Sequence, residues 1–232
     1  MSESVSIITG AGSGIGRATA VALSRAEHRL VLVGRRREAL DATAGLLATP
    51  VHVVPVDVAD GDSPALIVAQ ALDAFGRIDT VVNNAGYAPL KPIDETTPAM
   101  IEEVFRINAI GSANLIARVW PLFLRQRGGC VVNVSSMATI DPFPGLFAYA
   151  AAKASVELMV KSCANEGRAH NIRAFAIAPG AVETPMLRSL FSKEQLPASQ
   201  CLAPEQVASV IVDCILGRRN ADNGRTILLP SP

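Results

Sequence analysis

The chain has 232 residues, half of them hydrophobic, which is enough for one large α/β domain with a sizeable core. Lysine plus arginine equals aspartate plus glutamate at 21 each, so the net charge is zero. A neutral chain has no broad basic field to bind nucleic acid or an anionic membrane. The three histidines are scattered and the four cysteines form no Cys-x-x-Cys pair, so we predict free, buried thiols and no metal site.

Short apolar runs alternate with helix-like stretches along the whole chain. Strands are predicted, in chain order, at 5–9, 30–33, 51–56, 80–83, 131–134, 172–178 and 226–229, and helices at 14–26, from 63, from 98 past 119, at 147–168 and at 204–216. Ser63 and Thr97 are the expected helix caps, with Pro64 at the first helical position. The strands are continuous apolar runs without polar alternation, which is typical of a parallel sheet covered on both faces.

This alternation predicts a single α/β domain over residues 1–232. We expect a Rossmann-type, doubly wound sheet of about seven parallel strands in a three-layer α/β/α arrangement. Three irregular segments, 87–97, 137–146 and 180–203, each follow a strand. In an open α/β sheet the loops at the carboxyl ends of the strands surround the ligand, so these segments are the predicted substrate walls.

The start of the chain indicates a cytoplasmic protein. Met1-Ser2-Glu3-Ser4 is polar and acidic, and it lacks the basic region and the apolar core of a signal peptide. No uninterrupted apolar run reaches the length of a membrane span.

A glycine-rich segment, Thr9-Gly10-Ala11-Gly12-Ser13-Gly14-Ile15-Gly16, lies between the first predicted strand and the first predicted helix. Glycines let the backbone approach a pyrophosphate closely, and the helix N-terminus supplies amide donors. An ordinary flexible turn is the alternative, but the position between strand and helix favours dinucleotide binding. The absence of Gly-Lys-Ser/Thr argues against a nucleotide triphosphatase.

The second strand ends in Gly34-Arg35-Arg36, where many dinucleotide folds place an acidic residue for the ribose hydroxyls. Arginine can pair with a 2′-phosphate, which favours NADP over NAD. Alternatively, Arg35, Arg36 and Arg37 form only the solvated start of a helix. Three cations at a helix start oppose its dipole, which makes an anionic partner the better explanation.

Tyr149 and Lys153 lie four residues apart in a predicted helix and therefore share one face. A nearby ammonium lowers the pKa of a tyrosine, so Tyr149 becomes a usable general acid or base. Ser135 and Ser136 end the preceding strand, and a hydroxyl there can polarise a substrate oxygen. The spacing alone equally describes a chance pair on an amphipathic helix, and the serines equally describe strand-end caps. No Gly-x-Ser-x-Gly elbow indicates a serine hydrolase.

Taken together, these motifs resemble those of the short-chain dehydrogenase/reductase family over residues 5–229. The resemblance rests on the glycine turn, Asn83-Asn84-Ala85-Gly86, a serine ahead of Tyr149-x-x-x-Lys153, and Pro179-Gly180, in this order. It implies these cofactor-binding residues: Gly10, Ser13, Gly14, Ile15, Gly16, Arg35, Arg36, Asp57, Val58, Asn83, Ala85, Gly86, Tyr149, Lys153, Pro179, Gly180, Val182 and Thr184. Within this set, Asp57 would meet the adenine amine, and Asn83 would border the adenosine and support the central strand.

The resemblance also implies the catalytic set Asn108, Ser136, Tyr149 and Lys153. Asn108 would anchor a proton-relay water, and Lys153 would bind the nicotinamide ribose as well as tune Tyr149. Ser136 is chosen over Ser135 because the family places its serine thirteen positions before the tyrosine.

These features predict an NADP-dependent carbonyl reductase, with an NAD-dependent alcohol dehydrogenase and a non-catalytic nucleotide-sensing protein as alternatives. The candidate substrate walls are mostly apolar, which suits a hydrophobic ketone, aldehyde or acyl group. They are Tyr87, Pro89, Ala138, Thr139, Phe143, Leu146, Met186, Leu187 and Phe191. The resemblance implies a homo-oligomer. The chain ends without the family's Gly-Gly turn, so a dimer competes with the usual tetramer.

Overall fold

The computed structural model describes residues 4–232, so the predicted polar start falls almost wholly outside the described residues. Its seven strands are β1 (Val5–Thr9), β2 (Arg29–Gly34), β3 (Val51–Pro55), β4 (Thr80–Asn83), β5 (Gly129–Val134), β6 (Ile172–Pro179) and β7 (Thr226–Leu229). All neighbouring strands pair in parallel, in the order β3-β2-β1-β4-β5-β6-β7. The predicted doubly wound Rossmann-type sheet is confirmed.

Helices cover both faces of the sheet. They are α1 (Gly14–Arg25), α2 (Arg37–Ala44), α3 (Ser63–Phe75), α4 (Pro98–Phe105), α5 (Gly111–Gln126), α6 (Phe147–Gly167), α7 (Pro185–Leu190) and α8 (Pro204–Ile215). One core contains Ile67 of α3, Phe123 of α5 and Val160 of α6. A second core, on the opposite face, contains Leu23 of α1 and Ile211 of α8. The sheet therefore lies between two layers of helices, which confirms the predicted three-layer arrangement.

The two predicted helix caps have different outcomes. The Thr97 hydroxyl accepts a hydrogen bond from the Met100 amide at 3.3 Å, as a cap does. The prediction for Ser63 is wrong, because Ser63 is the first helical residue and follows Asp62. Its hydroxyl instead donates to the Asp57 carbonyl at 2.6 Å, which ties the start of α3 to the end of β3.

The predicted helix from residue 98 past 119 contains a wider turn. A five-residue π segment, Arg106–Ile110, separates α4 from α5. The Asn108 side-chain amide donates to the Val104 carbonyl at 2.8 Å, so a side chain enters the hydrogen-bond ladder where the helix widens. Such segments are rare in α-helices and occur often at functional sites.

Among the described residues, the stretch Pro98–Gln126 is long and apolar enough to cross a membrane, judged by length and composition alone. Its α5 side chains Leu115, Val119 and Phe123 are buried in the core against the sheet. The apolar face of this helix therefore already has a partner within the fold.

Candidate active site

A cleft of about 670 Å³ lies at the carboxyl ends of the strands. It lies where the strand order reverses between β1 and β4, which is the usual ligand position in doubly wound sheets. Residues from all three predicted substrate loops line it. The predicted site residues that line it are Gly10, Ser13, Gly14, Ile15, Arg35, Arg36, Asp57, Val58, Ala85, Gly86, Ser136, Tyr149, Lys153, Pro179, Gly180, Val182 and Thr184.

The turn between β1 and α1 can accept a phosphate group at short range. Gly10 and Gly14 have φ angles of 66° and 51°, a left-handed conformation that glycine adopts at low cost. A Cβ on Gly14 would lie 2.9 Å from Cγ2 of Thr184. The α1 N-terminus therefore meets the cleft with a side-chain-free backbone and with amide donors, a cradle that fits a pyrophosphate.

Gly16 and Asn83 act behind the cleft and do not line it. A Cβ on Gly16 would collide with the Gly10 carbonyl, so this glycine lets α1 pack on the turn. Asn83 is buried, and its side-chain amide donates to Asn133 Oδ1 at 2.9 Å. The Asn83 side chain is therefore turned away from the cleft, and its predicted place beside the adenosine stays a prediction. Its support of the central strand agrees with the structure.

Asn84, to which the sequence interpretation gave no role, braces the glycine turn. Its side-chain amide donates to the Thr9 carbonyl at 2.9 Å. In return, the Thr9 hydroxyl accepts from the amides of Asn84 and Ala85 at 2.9 and 3.0 Å. These bonds join the loops after β1 and β4 and fix the floor of the cleft.

Arg35 and Arg36 are exposed at one end of the cleft, where β2 ends. Arg35 Nη1 lies 3.9 Å from Asp57 Oδ2, a loose contact between two partly solvated groups. Gly34, the last residue of β2, presents no carboxylate to ribose hydroxyls. This end of the cleft therefore has two exposed guanidinium groups, one of them loosely paired with Asp57.

Tyr149, Lys153 and Ser136 converge at the other end. The Ser136 hydroxyl lies beside the Tyr149 side chain and acts to lower its pKa. Lys153 is buried, its ammonium donates to the Val134 carbonyl at 2.7 Å, and it lies 5.7 Å from the centroid of the Tyr149 ring. A phenol, a serine hydroxyl and an ammonium group thus share one apolar wall.

The predicted lowering of the Tyr149 pKa is not what the structure gives. Burial raises the pKa of Tyr149 to about 12, and the hydrogen bond with Ser136 lowers it only in part. Burial also lowers the pKa of Lys153 to about 8. Both shifts have one cause, since a desolvated wall disfavours the charged form of each group.

The two serines after β5 have different partners. Ser136 Oγ accepts a hydrogen bond from the Ala138 amide at 3.1 Å and contacts Tyr149. Ser135 is buried, and its hydroxyl donates to Glu157 Oε1 at 2.6 Å. Ser136 is therefore the serine whose hydroxyl lies beside Tyr149.

Asn108 is buried in the π segment, and its side chain is engaged within the protein. Its Oδ1 accepts from the Tyr87 amide at 3.1 Å, and its Nδ2 donates to the Tyr87 carbonyl at 2.7 Å. Asn108 itself does not line the cleft. It fixes the backbone of the loop after β4, and the anchoring of a relay water stays a prediction.

Most predicted wall residues line the cleft, but Pro89 and Thr139 do not. The Thr139 hydroxyl is hydrogen-bonded to Glu157 Oε1 at 2.9 Å instead. Phe143 and Phe191 meet edge to face, with ring centroids 5.2 Å apart, and so join loops 137–146 and 180–203. The resulting substrate end is apolar, apart from Asp141 and Gln195.

Arg188 of α7 organises the loop that carries Phe191. Its guanidinium pairs with the Glu183 carboxylate and donates to the main-chain carbonyls of Ser192 and Leu196 at 3.1 and 2.8 Å. The hydrogen bond from Arg188 holds the pKa of Glu183 below its usual value. One forked cation thus fixes the irregular part of this wall.

Replacing Arg188 with glutamine is therefore expected to loosen the wall. We predict about tenfold faster cleavage after exposed Lys193 by a lysine-specific protease, because local opening controls proteolysis. KM for the substrate should rise while the affinity for the dinucleotide is retained. Arg218→Gln, which removes the exposed pair with Asp213, is the matched control. Unchanged cleavage in Arg188→Gln would contradict this role.

Comparison with known proteins relates this chain to one family. Residues 4–195 match the family described as short chain dehydrogenase. The 3-oxoacyl-[acyl-carrier-protein] reductase of Thermotoga maritima is 37% identical over 221 residues, which cover 90% of this chain and 88% of that protein. Versicolorin reductase of Emericella nidulans is 31% identical over 207 residues, covering 88% and 78% of the two chains.

Solved structures give the same result. Levodione reductase superposes with a TM-score of 0.92 at 30% identity, over 98% of this chain and 96% of that one. The 3-ketoacyl-(acyl-carrier-protein) reductase from Brucella melitensis, complexed with NADH, gives a TM-score of 0.92 at 26% identity, over 99% and 98%. The chain belongs to the short-chain dehydrogenase/reductase family. It is an NAD(P)-dependent oxidoreductase that acts on carbonyl or alcohol groups.

Proposed function

We propose that this enzyme reduces an apolar ketone, aldehyde or acyl carbonyl with NADPH. The observation that carries the proposal is the meeting of Tyr149, Ser136 and Lys153 at an apolar wall, opposite a glycine turn flanked by two arginines. The relatives named above are all described as reductases. We also propose that the enzyme is cytoplasmic, that it forms a single domain, and that it assembles as a dimer or a tetramer.

The nicotinamide supplies the hydride when it is bound. Ser136 holds the substrate oxygen by its hydroxyl, and Tyr149 donates the proton that this oxygen gains. The raised pKa of Tyr149 keeps its proton in place until a negative oxygen develops beside it. Lys153, with its ammonium held at the Val134 carbonyl, orients the ribose and stabilises negative charge on Tyr149.

The proposal is tested by a screen of apolar ketones, aldehydes and acyl thioesters with NADPH and with NADH. Loss of nicotinamide absorbance, with the alcohol product identified by mass spectrometry, is the expected result. Alcohol oxidation with NAD in the absence of any carbonyl reduction would favour the alternative, an NAD-dependent alcohol dehydrogenase. No turnover in either direction would remove the reaction from this site.

Arg35→Ala tests the cofactor. A charged hydrogen bond to a phosphate contributes about 1.5–3 kcal/mol, so the Kd for NADPH should rise about tenfold or more. The Kd for NADH should change little, because NADH carries no 2′-phosphate. Arg37→Ala is the matched control, since Arg37 is exposed, pairs with Asp41 and does not line the cleft. Equal weakening of both cofactors, measured by fluorescence titration, would assign Arg35 a non-selective role.

A further inference from the structure

Glu157 lies on α6, four residues after Lys153 and eight after Tyr149. Tyr149, Lys153 and Glu157 follow each other at four-residue steps and therefore lie along one face of the helix. Tyr149 and Lys153 line the cleft, whereas Glu157 contacts the turn after β5. The proposed reaction gives Glu157 no part, so its position needs another explanation.

Glu157 contacts the turn on both sides of Ser136. One oxygen, Oε1, accepts from the Ser135 hydroxyl at 2.6 Å and from the Thr139 hydroxyl at 2.9 Å. Ser135 comes directly before Ser136, and Thr139 ends the short 3₁₀ turn Met137–Thr139. A single carboxylate oxygen therefore holds the two ends of the segment that carries Ser136.

The Ser135 and Thr139 hydroxyls are the hydrogen-bond donors, and the Glu157 carboxylate is the acceptor. Each hydroxyl has one proton, and a carboxylate has none to give. The competing acceptor for Ser135 is the Lys153 carbonyl, which is more distant at 3.3 Å. The Thr139 hydroxyl has a second acceptor at the same distance, the Ser136 carbonyl at 2.9 Å, which belongs to the same turn, so a shared proton still joins this turn to Glu157. Bonds to a carboxylate are also the stronger choice.

We infer that Glu157 is a positioning residue that holds the Ser136 hydroxyl beside Tyr149 by fixing both ends of the turn. The inference rests on the proposed function, in which Ser136 binds the substrate oxygen. A displacement of about 1 Å in such a group can lower a rate by about a hundredfold. Loss of Glu157 should therefore affect turnover through Ser136.

A double-mutant cycle tests this route. Glu157→Ala is expected to lower kcat about tenfold in the native background, and to have no further effect in a Ser136→Ala background. Affinity for NADPH should be unchanged in both. Glu166→Ala, an exposed glutamate on the same helix, is the control and should retain activity. An equal fall in both backgrounds, or no fall in either, would overturn the inference.

The cycle also separates this inference from the proposed function. If Ser136→Ala alone leaves kcat unchanged, the proposed role of Ser136 fails, and the role of Glu157 fails with it. If Ser136→Ala impairs turnover and Glu157→Ala does not, only the positioning role fails.

Two further variants distinguish geometry from charge and from folding. Glu157→Gln keeps an acceptor oxygen, so it should retain most of kcat with an unchanged pH profile. An equal loss with a shifted pH profile would mean that Glu157 acts by its charge on Tyr149 or Lys153, which overturns the inference. Thr139 lies outside α6, and Thr139→Val removes one of the two hydroxyls that donate to Glu157. About a threefold fall in kcat is therefore expected. No fall there would also contradict the inference, even if Glu157→Ala does not fold.

Discussion

Tyr149→Phe is expected to lower kcat for carbonyl reduction by about 10²–10⁴-fold, the usual contribution of a positioned general acid. The phenyl ring keeps the packing of α6, but it has no proton to donate and no oxygen to meet Ser136. Affinity for NADPH, measured by titration, should change far less than kcat.

The chain provides a matched control for this substitution. Its second tyrosine, Tyr87, also lines the cleft, and only its main chain is bonded to Asn108. Tyr87→Phe should therefore alter KM more than kcat. If both variants lose kcat equally, the proton donor is not Tyr149.

Lys153→Met is expected to abolish most turnover without lowering stability at neutral pH. The side chain is 4% exposed, and its ammonium is desolvated with one carbonyl partner. Removal of this buried charge relieves a cost, while the Val134 carbonyl loses a partner at about 1–3 kcal/mol. We expect kcat to fall about a hundredfold or more, and the free energy of unfolding at pH 7 to change by about 1 kcal/mol or less.

The lowered pKa of Lys153 determines whether its contribution to stability rises or falls with pH. The pKa of Lys153 is about 8 in the folded protein and 10.5 when unfolded. Between these values the unfolded state binds more protons, so Lys153 contributes increasing stability as pH rises from about 8 towards 10.5. Tyr149 and the buried cysteines Cys130, Cys163 and Cys214 have raised pKa values and act in the opposite direction above pH 9.

The contributions of Tyr149 and the cysteines cancel when the wild type is compared with Lys153→Met, because both proteins contain these groups. In urea unfolding at pH 7, 8, 9 and 10, the free energy of unfolding of the wild type should rise relative to that of the variant. A difference that stays constant with pH would mean that Lys153 carries an ordinary pKa in the folded protein.

The sequence predicted those parts of the site that depend on local spacing. The glycine turn needed only the chain order, since it lies between a strand and a helix. The roles of Tyr149 and Lys153 and the choice of Ser136 came from the family resemblance, because their spacing alone left a chance pair open. The strands β1, β4 and β7 match the predicted bounds, and the ends of β2, β3, β5 and β6 differ by one or two residues. The helix α7 was not assigned, because it has only six residues, and α2 was indicated only by the helix start considered for Arg35, Arg36 and Arg37.

What the sequence did not predict depends on contacts between distant segments. The burial that raises the Tyr149 pKa comes from walls supplied by several loops, so the local Tyr-Lys spacing predicted the wrong direction. Nothing near Asn108 marks a π segment, because its partner Tyr87 lies on another loop. The tandem Asn83-Asn84 did contain a usable signal. Side chains alternate along a strand, so one asparagine is buried and the next emerges at the turn.

The central claim is that hydride passes from NADPH to a carbonyl carbon beside Tyr149. The most direct test is a single-turnover reaction with NADPH in which both hydrogens on the reactive carbon of the nicotinamide are deuterium, using the best carbonyl from the screen. We expect an alcohol that carries one deuterium on the former carbonyl carbon, formed quickly by the wild type and about 10²–10⁴-fold more slowly by Tyr149→Phe. Alcohol without deuterium, or equal rates in the two proteins, would contradict it.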